Sequence, residues 1–174
     1  MQEEINLERP QDLQQENAGE MNQIIVFKLG DEEYGLFIDQ IKEVVLTPKI
    51  SKIPLTPKFI KGVANIRGNI LAIIDLEEKF ALKTDSDIPQ EEKSNYTLVV
   101  ESKEYNMAIL VKEVPNTLSV ATADIDYTPN IINDSTQEHQ YINGVIKLEN
   151  RLIILIDLFK VISKEDISST MSKA

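Results

Sequence analysis

The sequence predicts an all-β protein: two small five-stranded β-barrels related by internal duplication and pseudo-two-fold packing, with short helical turns and a candidate C-terminal helix. Three observations predict it. Short apolar runs rich in Ile and Val are separated by Gly, Asp, Asn or Pro, at the spacing of barrels or sandwiches rather than helices. The two halves of the chain repeat each other in register, and a repeat outranks any local reading. Finally, five short strands with one apolar face leave unpaired edges, which curling each unit into a barrel removes.

Taken in order, residues 1–22 are rich in Gln, Glu and Asn and lack an apolar period, so they read as an acidic flexible tail. The strand-like runs follow: "QIIVFKL", "YGLFID", "GVANI" and "ILAIID", then "YTLVVES", "MAILV", "INGVIKL" and "LIILID". Helical candidates are the turn at "LEEKF", its counterpart "LFKVI", and the C-terminal "KEDISSTMSK". The polar stretch 81–95 reads as a linker. The expected organisation is a tail over 1–22, one domain over 23–162, and a C-terminal segment over 163–174. Within the domain the units span about 23–82 and 94–162, with exchange of strands between them left open.

The repeat is specific. Shifted by 82, Phe59-Ile-Lys-Gly-Val falls on Tyr141-Ile-Asn-Gly-Val, and Ile74-Asp-Leu on Ile156-Asp-Leu. Shifted by 73, "IIVF" at 24–27 falls on "TLVV", and "YGLFIDQI" at 34–41 on "MAILVKEV". The difference of 9 residues places a longer loop between Leu118 and Gln140 of the second copy.

At 174 residues the chain can bury a core without disulfides or metals. It has no cysteine, which excludes a disulfide framework, a thiolate metal site and a Cys nucleophile. No apolar run approaches the ~20 residues that span a bilayer. The N-terminus, "MQEEINLERP", lacks a basic region and an apolar region, so a cytoplasmic protein without a signal peptide is expected. Net charge is −11, with 29 acids against 18 bases. The tail holds six of those acids with Arg9 as its one base, leaving −6 for the rest. Nucleic acid and anionic membranes draw affinity from clustered Lys and Arg, and neither is an expected partner. An aromatic content of 6% also argues against a barrel for single-stranded nucleic acid.

No catalytic set emerges. His139 is the only histidine and lies in the polar "NDSTQEHQ". The duplicated Asp75 and Asp157 could suggest a shared-proton dyad, but each precedes a Leu that starts a helical stretch, where Asp caps. "GVANIRG" lacks the Lys-Ser/Thr and the helix of a phosphate loop. No cofactor and no metal are expected.

What remains is where the copies differ. Arg67 falls on Glu149 and Glu43 on Asn116, so the first copy carries a base and an acid that the second lacks. Gly68 falls on Asn150, both tolerant of positive φ, so the hairpin is expected to persist while its charge reverses. Gly68 has a backbone reason to be at the tip, and Arg67 does not. A scaffold position whose charge differs between copies is read as a recognition residue.

Several stretches carry a family resemblance: Tyr34-Gly35, Ile41-Lys-Glu43-Val, Ile53-Pro54, Pro57, Phe59-Ile-Lys-Gly62-Val and Asn65-Ile-Arg67-Gly68. In this order and spacing, from about Gln23 to Ile162, they resemble CheW-type chemotaxis coupling proteins. The resemblance implies two five-stranded barrels without catalytic activity. It also implies an adaptor that bridges the cytoplasmic tips of chemoreceptors to the histidine kinase CheA, whose regulatory domain shares the fold. By position it implies a receptor site at Arg67 and Glu43, with Ile41 as an apolar neighbour. A kinase-binding surface is placed on Ile53, Leu55 and Phe59. Two positions depart from the family pattern: Ile66 replaces a familiar Leu, and Lys112 stands where many members have Asp. A CheW-like domain within a larger signalling protein would share the fold, but 174 residues leave no room for a kinase or phosphoacceptor module.

Overall fold

The computed structural model describes residues 20–82, 95–127 and 141–173. Most of the acidic tail, most of the 81–95 linker, and the loop with His139 lie outside the described residues. Eleven strands are described: β1 (Met21–Leu29), β2 (Glu32–Phe37), β3 (Ile41–Leu46), β4 (Ile60–Ile66), β5 (Asn69–Ile74), β6 (Tyr96–Val100), β7 (Met107–Val111), β8 (Asn116–Ala121), β9 (Ile125–Asp126), β10 (Ile142–Leu148) and β11 (Arg151–Ile156). Three helices accompany them: α1 (Leu76–Lys79), α2 (Leu158–Val161) and α3 (Lys164–Lys173). Met21 and Asn22, which composition assigns to the tail, are strand residues; Asn22 pairs with Val120, and its amide donates to Thr122 Oγ1 at 2.9 Å.

Two sheets form, in the orders β8-β1-β2-β11-β10-β9 and β3-β6-β7-β5-β4. Each closes on itself. β8 and β9 lie at opposite ends of the first sheet, yet only the turn Thr122–Asp124 separates them in sequence, so the sheet must curl until its ends meet. In the second, the chain leaving β3 returns at Ser51 to bridge Val63 of β4, with bonds of 2.8 and 2.9 Å. Asp126 pairs with Val145 in the first barrel as Ser51 pairs with Val63 in the second, so the duplication extends to the seam. Counting β8 and β9 as one bent strand, both barrels have five.

The seam explains the repeated glycine. A Cβ on Gly62, where φ is +145°, would overlap the Ser51 carbonyl oxygen, and one on Gly144 would lie 2.8 Å from that of Asp126. Strands can approach this closely only where a side chain is missing.

Neither barrel is one copy of the repeat. The split barrel takes β1 and β2 from the first copy and β8–β11 from the second, while the inserted barrel takes β3–β5 and β6–β7. Connection length dictates the exchange. In each barrel the strand equivalent to β2 runs parallel to the one equivalent to β3, with another strand between them. Parallel strands in one sheet need a crossover of a dozen or more residues. Only Ile38–Gln40 separate β2 from β3, and residues 112–115 separate β7 from β8. The chain therefore crosses into the other barrel each time.

Strand alternation then sorts the core into three. Ile24 and Val26 of β1 fill the split barrel with Val120, Ile146, Ile153 and Leu155. Ala64, Ile66, Leu71, Ile73, Ala108 and Leu110 fill the inserted barrel. The opposite faces, among them Ile25, Phe27, Leu36, Leu98, Met107 and Ile109, meet in a larger core shared by both barrels. Successive strand residues face opposite sides, so the strongest runs have no polar face.

The helices tie the barrels. Asp75 accepts from the Glu78 amide at 3.2 Å and Asp157 from the Phe159 amide at 3.0 Å, so both duplicated aspartates cap helices. Buried Glu77 on α1 accepts from the Gly30 amide of the β1–β2 turn at 2.9 Å, and its Oε1 lies 3.0 Å from Lys112 Nζ. At the equivalent place on α2, Phe159 packs against Tyr105 of the β6–β7 turn, ring centroids 5.0 Å apart. Each short helix thus grips the opposite barrel's first hairpin, one through a carboxylate and the other through a ring. Ser163 and Asp166 form a reciprocal cap at the start of α3, which docks Ile167 into the shared core and pairs Lys164 with Glu104 at 2.7 Å.

Candidate protein-binding site

The β4–β5 hairpin turns in two residues, Ile66 pairing with Asn69 across Arg67 and Gly68. Both tip residues have positive φ, +53° for Arg67 and +87° for Gly68. The Asn65 side chain braces the turn, its Oδ1 accepting from the Gly68 amide at 2.9 Å. This corrects the sequence-based view that only Gly68 answers to backbone geometry: such a turn demands positive φ at both central residues and favours Asn or Gly at the first. The second hairpin keeps the two-residue loop, with Leu148 opposite Arg151, but neither Glu149 nor Asn150 has positive φ. The expectation that Asn150 preserves the same backbone is therefore corrected too.

Arg67 reaches across the seam to Glu43 on β3. Its Nε donates to both carboxylate oxygens, at 2.9 and 2.7 Å. The side chain of Arg67 is 71% exposed and that of Glu43 22%. Magnitudes decide what the pair is for. A non-glycine residue in the left-handed region costs about 1–2 kcal/mol, whereas an exposed ion pair contributes ~0–1 kcal/mol. The pair does not offset the strain, so fold stability does not account for Arg67. Strain of this kind gathers at functional sites.

The pairing of strands supports the residue correspondence. Glu43 lies opposite Val99 and Asn116 opposite Val26, and Val99 and Val26 are themselves equivalent in the repeat. Ile41 stands apart from its neighbours: a β-bulge separates it from Glu43, and its half-buried side chain packs against the shared core. The structure brings Arg67 and Glu43 together and turns Ile41 to a different face.

The second residue group is spread along the loop before β4. Leu55 is 89% exposed with φ of +62°. Ile53 is half-buried, its carbonyl accepting from Thr56 Oγ1 at 3.2 Å. Phe59 packs on the shared core beneath the Lys79 ammonium, 4.3 Å from the ring centroid. Leu55 is the one of the three that presents a large apolar surface.

Sequence reasoning missed a second ion pair. Arg151 of β11 holds Glu33 of β2 with two nitrogens, Nε at 3.1 Å and Nη2 at 2.9 Å. Arg151 holds the Glu33 carboxyl below its usual range, chiefly by that hydrogen bond, and Glu33 raises Arg151 in return. No signal marks it, since Glu33 and Arg151 are far apart in sequence. Among the described residues, no group of three or more His, Asp or Glu could hold a metal ion, and no helix is long and apolar enough to cross a membrane.

The CheW-like domain family matches residues 23–166. The chain belongs to the CheW family. It is 33% identical over 153 residues to the chemotaxis protein CheW of Klebsiella aerogenes, covering 87% of this chain and 89% of that one. It is 26% identical over 148 residues to CheW of Treponema pallidum, covering 85% and 86%. The crystal structure of the scaffolding protein TtCheW from Thermoanaerobacter tengcongensis superposes with a TM-score of 0.68 at 30% identity, over 82% of this chain and 92% of that one. The CheW fold is the all-β pair of sheets found here, and a CheW-family chain is a chemotaxis scaffold or adaptor.

Proposed function

We propose that this chain acts without catalysis in the cytoplasm as a bridge that couples chemoreceptor cytoplasmic tips to the regulatory domain of the histidine kinase CheA. The observation that carries the reading is Arg67, held at positive φ by a turn that prefers Asn or Gly, with an exposed ion pair too weak to account for it. Family membership supports the partners' identity. On this reading an amphipathic receptor helix tip lies in the groove between the barrels, its nonpolar face against apolar residues of both. Arg67 and Glu43 orient it, while Ile41, turned to the shared core, stands apart from that contact. The kinase docks on the loop of Ile53, Leu55 and Phe59, where the exposure of Leu55 supplies an apolar anchor. Asp75 and Asp157, as helix caps, are engaged in the fold rather than arranged for proton sharing.

The test is reconstitution with a chemoreceptor cytoplasmic fragment and CheA, reading co-purification and kinase activity. The expected result is a ternary complex in which kinase activity depends on this protein. If binding desolvates the Arg67–Glu43 pair, its loss costs about 3–5 kcal/mol, so Arg67→Ala weakens receptor binding well over tenfold. Kinase binding survives that change, because the two surfaces are separate. Unchanged receptor affinity overturns the receptor site, and loss of both partners in a folded variant overturns the separation.

A further inference from the structure

The bases of this chain are unevenly placed. Lys42, Lys103, Lys112, Lys147 and Lys164 each stand within two residues of an acid, the mixed pattern of a solvated surface. The loop between β3 and β4 breaks that pattern. Residues 47–61, "TPKISKIPLTPKFIK", hold four of the chain's 18 bases and no acid. Lys61 turns inward, its Nζ 3.8 Å from Asp75 and 4.0 Å from Glu78. Lys49, Lys52 and Lys58 are exposed, and among the described residues no carboxylate pairs with any of them. Lys79 adds another exposed ammonium beside the loop, over the ring of Phe59. Between Lys52 and Lys58 stands Leu55, 89% exposed with φ of +62°, a region in which a bulky side chain is strained. On a chain of net charge −11, the loop is a basic surface with an apolar centre.

The same chain carries a complementary segment. Residues 1–19, which precede the described residues, hold five acids and one base. In "EEINLE", residues 3–8, three acids flank Ile5 and Leu7. The tail's net −4 is twice that of the 81–95 stretch, which sets four acids against two bases. The tether permits a meeting. Glu20 is fixed, its carbonyl accepting from the Thr122 amide at 3.0 Å. Ile5 lies 15 residues before it. Such a length reaches at most about 50 Å, against a radius of gyration of about 15 Å for a domain of this size. A short tether also holds its segment at an effective concentration on the order of 1 mM. A contact too weak to join separate molecules therefore forms within one.

We propose that the 47–61 loop is the docking surface of this chain's own acidic tail. Residues 3–8 lie over Leu55, with their carboxylates against Lys49, Lys52 and Lys58. Acids around two aliphatic residues meet bases around a leucine, and that complementarity selects the occupant. A docked tail covers the surface assigned above to the kinase, so the tail competes with CheA. That consequence rests on the proposed kinase surface; the contact itself does not.

The lack of cysteine gives a direct test. Asn6→Cys puts a single thiol in the full chain, and a nitroxide attached there broadens nearby amides in NMR. At low salt, amides between Lys49 and Phe59 should lose about half their intensity, the occupancy of a millimolar contact at that effective concentration. The loss should persist on dilution and vanish at about 1 M salt, where the screening length falls to ~3 Å. It should also vanish in the triple variant Glu3→Gln, Glu4→Gln and Glu8→Gln, which leaves every described residue unchanged. Freeing the loop in that variant should tighten CheA binding about twofold. Absence of broadening, broadening centred elsewhere, or broadening that survives the triple variant overturns the proposal. Broadening that disappears on dilution overturns a contact within one chain and assigns the loop to a second copy. Unchanged CheA affinity in the triple variant overturns the competition. Loop broadening in a chain that binds no CheA removes the kinase reading and upholds the tail contact.

Discussion

Lys112 and Glu77 form an ion pair at 3.0 Å in which the acid is 4% exposed and the base 35%. The same carboxylate accepts from the Gly30 amide, so one buried acid joins the α1 end of the inserted barrel to the first hairpin of the split barrel. Removing Lys112 strands that charge. Breaking a fully buried pair costs about 3–5 kcal/mol, and the partial exposure of Lys112 reduces this. Lys112→Met is expected to destabilise by about 1–3 kcal/mol, a fall in Tm of roughly 2–12 °C at this chain length. Glu77→Gln retains the bond to Gly30 and leaves Lys112 free to reach water, so it should cost no more than about 1 kcal/mol. Thermal unfolding of both variants reads the difference. The opposite order would show that the carboxylate charge, rather than its hydrogen bond, is what the joint depends on.

Arg67→Asn separates recognition from folding. Asn accepts positive φ before Gly68, so the change relieves about 1–2 kcal/mol of strain. It also removes an exposed pair contributing ~0–1 kcal/mol. Denaturant unfolding should show a variant as stable as the parent or about 1 kcal/mol more stable. Receptor-fragment binding should fall in the same variant. A residue kept for the fold would lower stability on replacement.

Gly62 and Gly68 both have positive φ yet should respond differently. At Gly68 an added Cβ meets nothing within 4 Å, so Gly68→Ala bears the backbone term alone, about 1 kcal/mol. At Gly62 the same methyl overlaps the Ser51 carbonyl at the barrel seam. Gly62→Ala is expected to cost more than about 3 kcal/mol, and to expose the Ser51 and Val63 amides to hydrogen exchange.

The Glu33–Arg151 pair sets an acid dependence. Glu33 is lowered from its ordinary value of 4.5 by the Arg151 hydrogen bond. A carboxyl depressed in the folded state stabilises above its unfolded pKa, and that contribution is lost as pH falls through the folded value. Urea unfolding of the parent should therefore lose stability below about pH 4.5 more steeply than Glu33→Gln does. Near neutral pH the variant should be the less stable of the two. Parallel curves would show that the pair adds nothing.

Much of the fold was legible because its signals are local. Ile and Val runs whose residues are buried on both faces, such as β7 with all five positions buried, stand out as continuous apolar stretches. The strands β3 and β8 did not appear among those runs. β3 alternates half-buried with exposed residues, and β8 buries only Val120 fully, so neither forms an unbroken apolar stretch. Arg67 and Glu43 were legible through the charge difference between copies. Their strain was not, because the first copy's tip adopts positive φ at an arginine that the sequence offered no reason to place there. Glu33, Arg151, Asn69 and Asn106 were invisible as a set. Arg151 meets Glu33 across two strands, and Asn69 and Asn106 line one cavity, and no linear spacing encodes either.

By itself the sequence determined most of the strands, the duplication, the helix caps at Asp75 and Asp157, and the two charges that set one copy apart. All of these depend on residues near one another in the chain, or on the same residue type recurring at a constant shift. Tertiary structure alone decided which strands share a barrel. The two copies present interchangeable apolar faces, so pattern cannot choose between a barrel built from one copy and a barrel built from both. Three residues between β2 and β3, and four between β7 and β8, are too few to cross over within one sheet. That constraint sends each copy's first hairpin into the other's barrel. It also brings Asn69 and Asn106, from different copies, to the lining of one cavity.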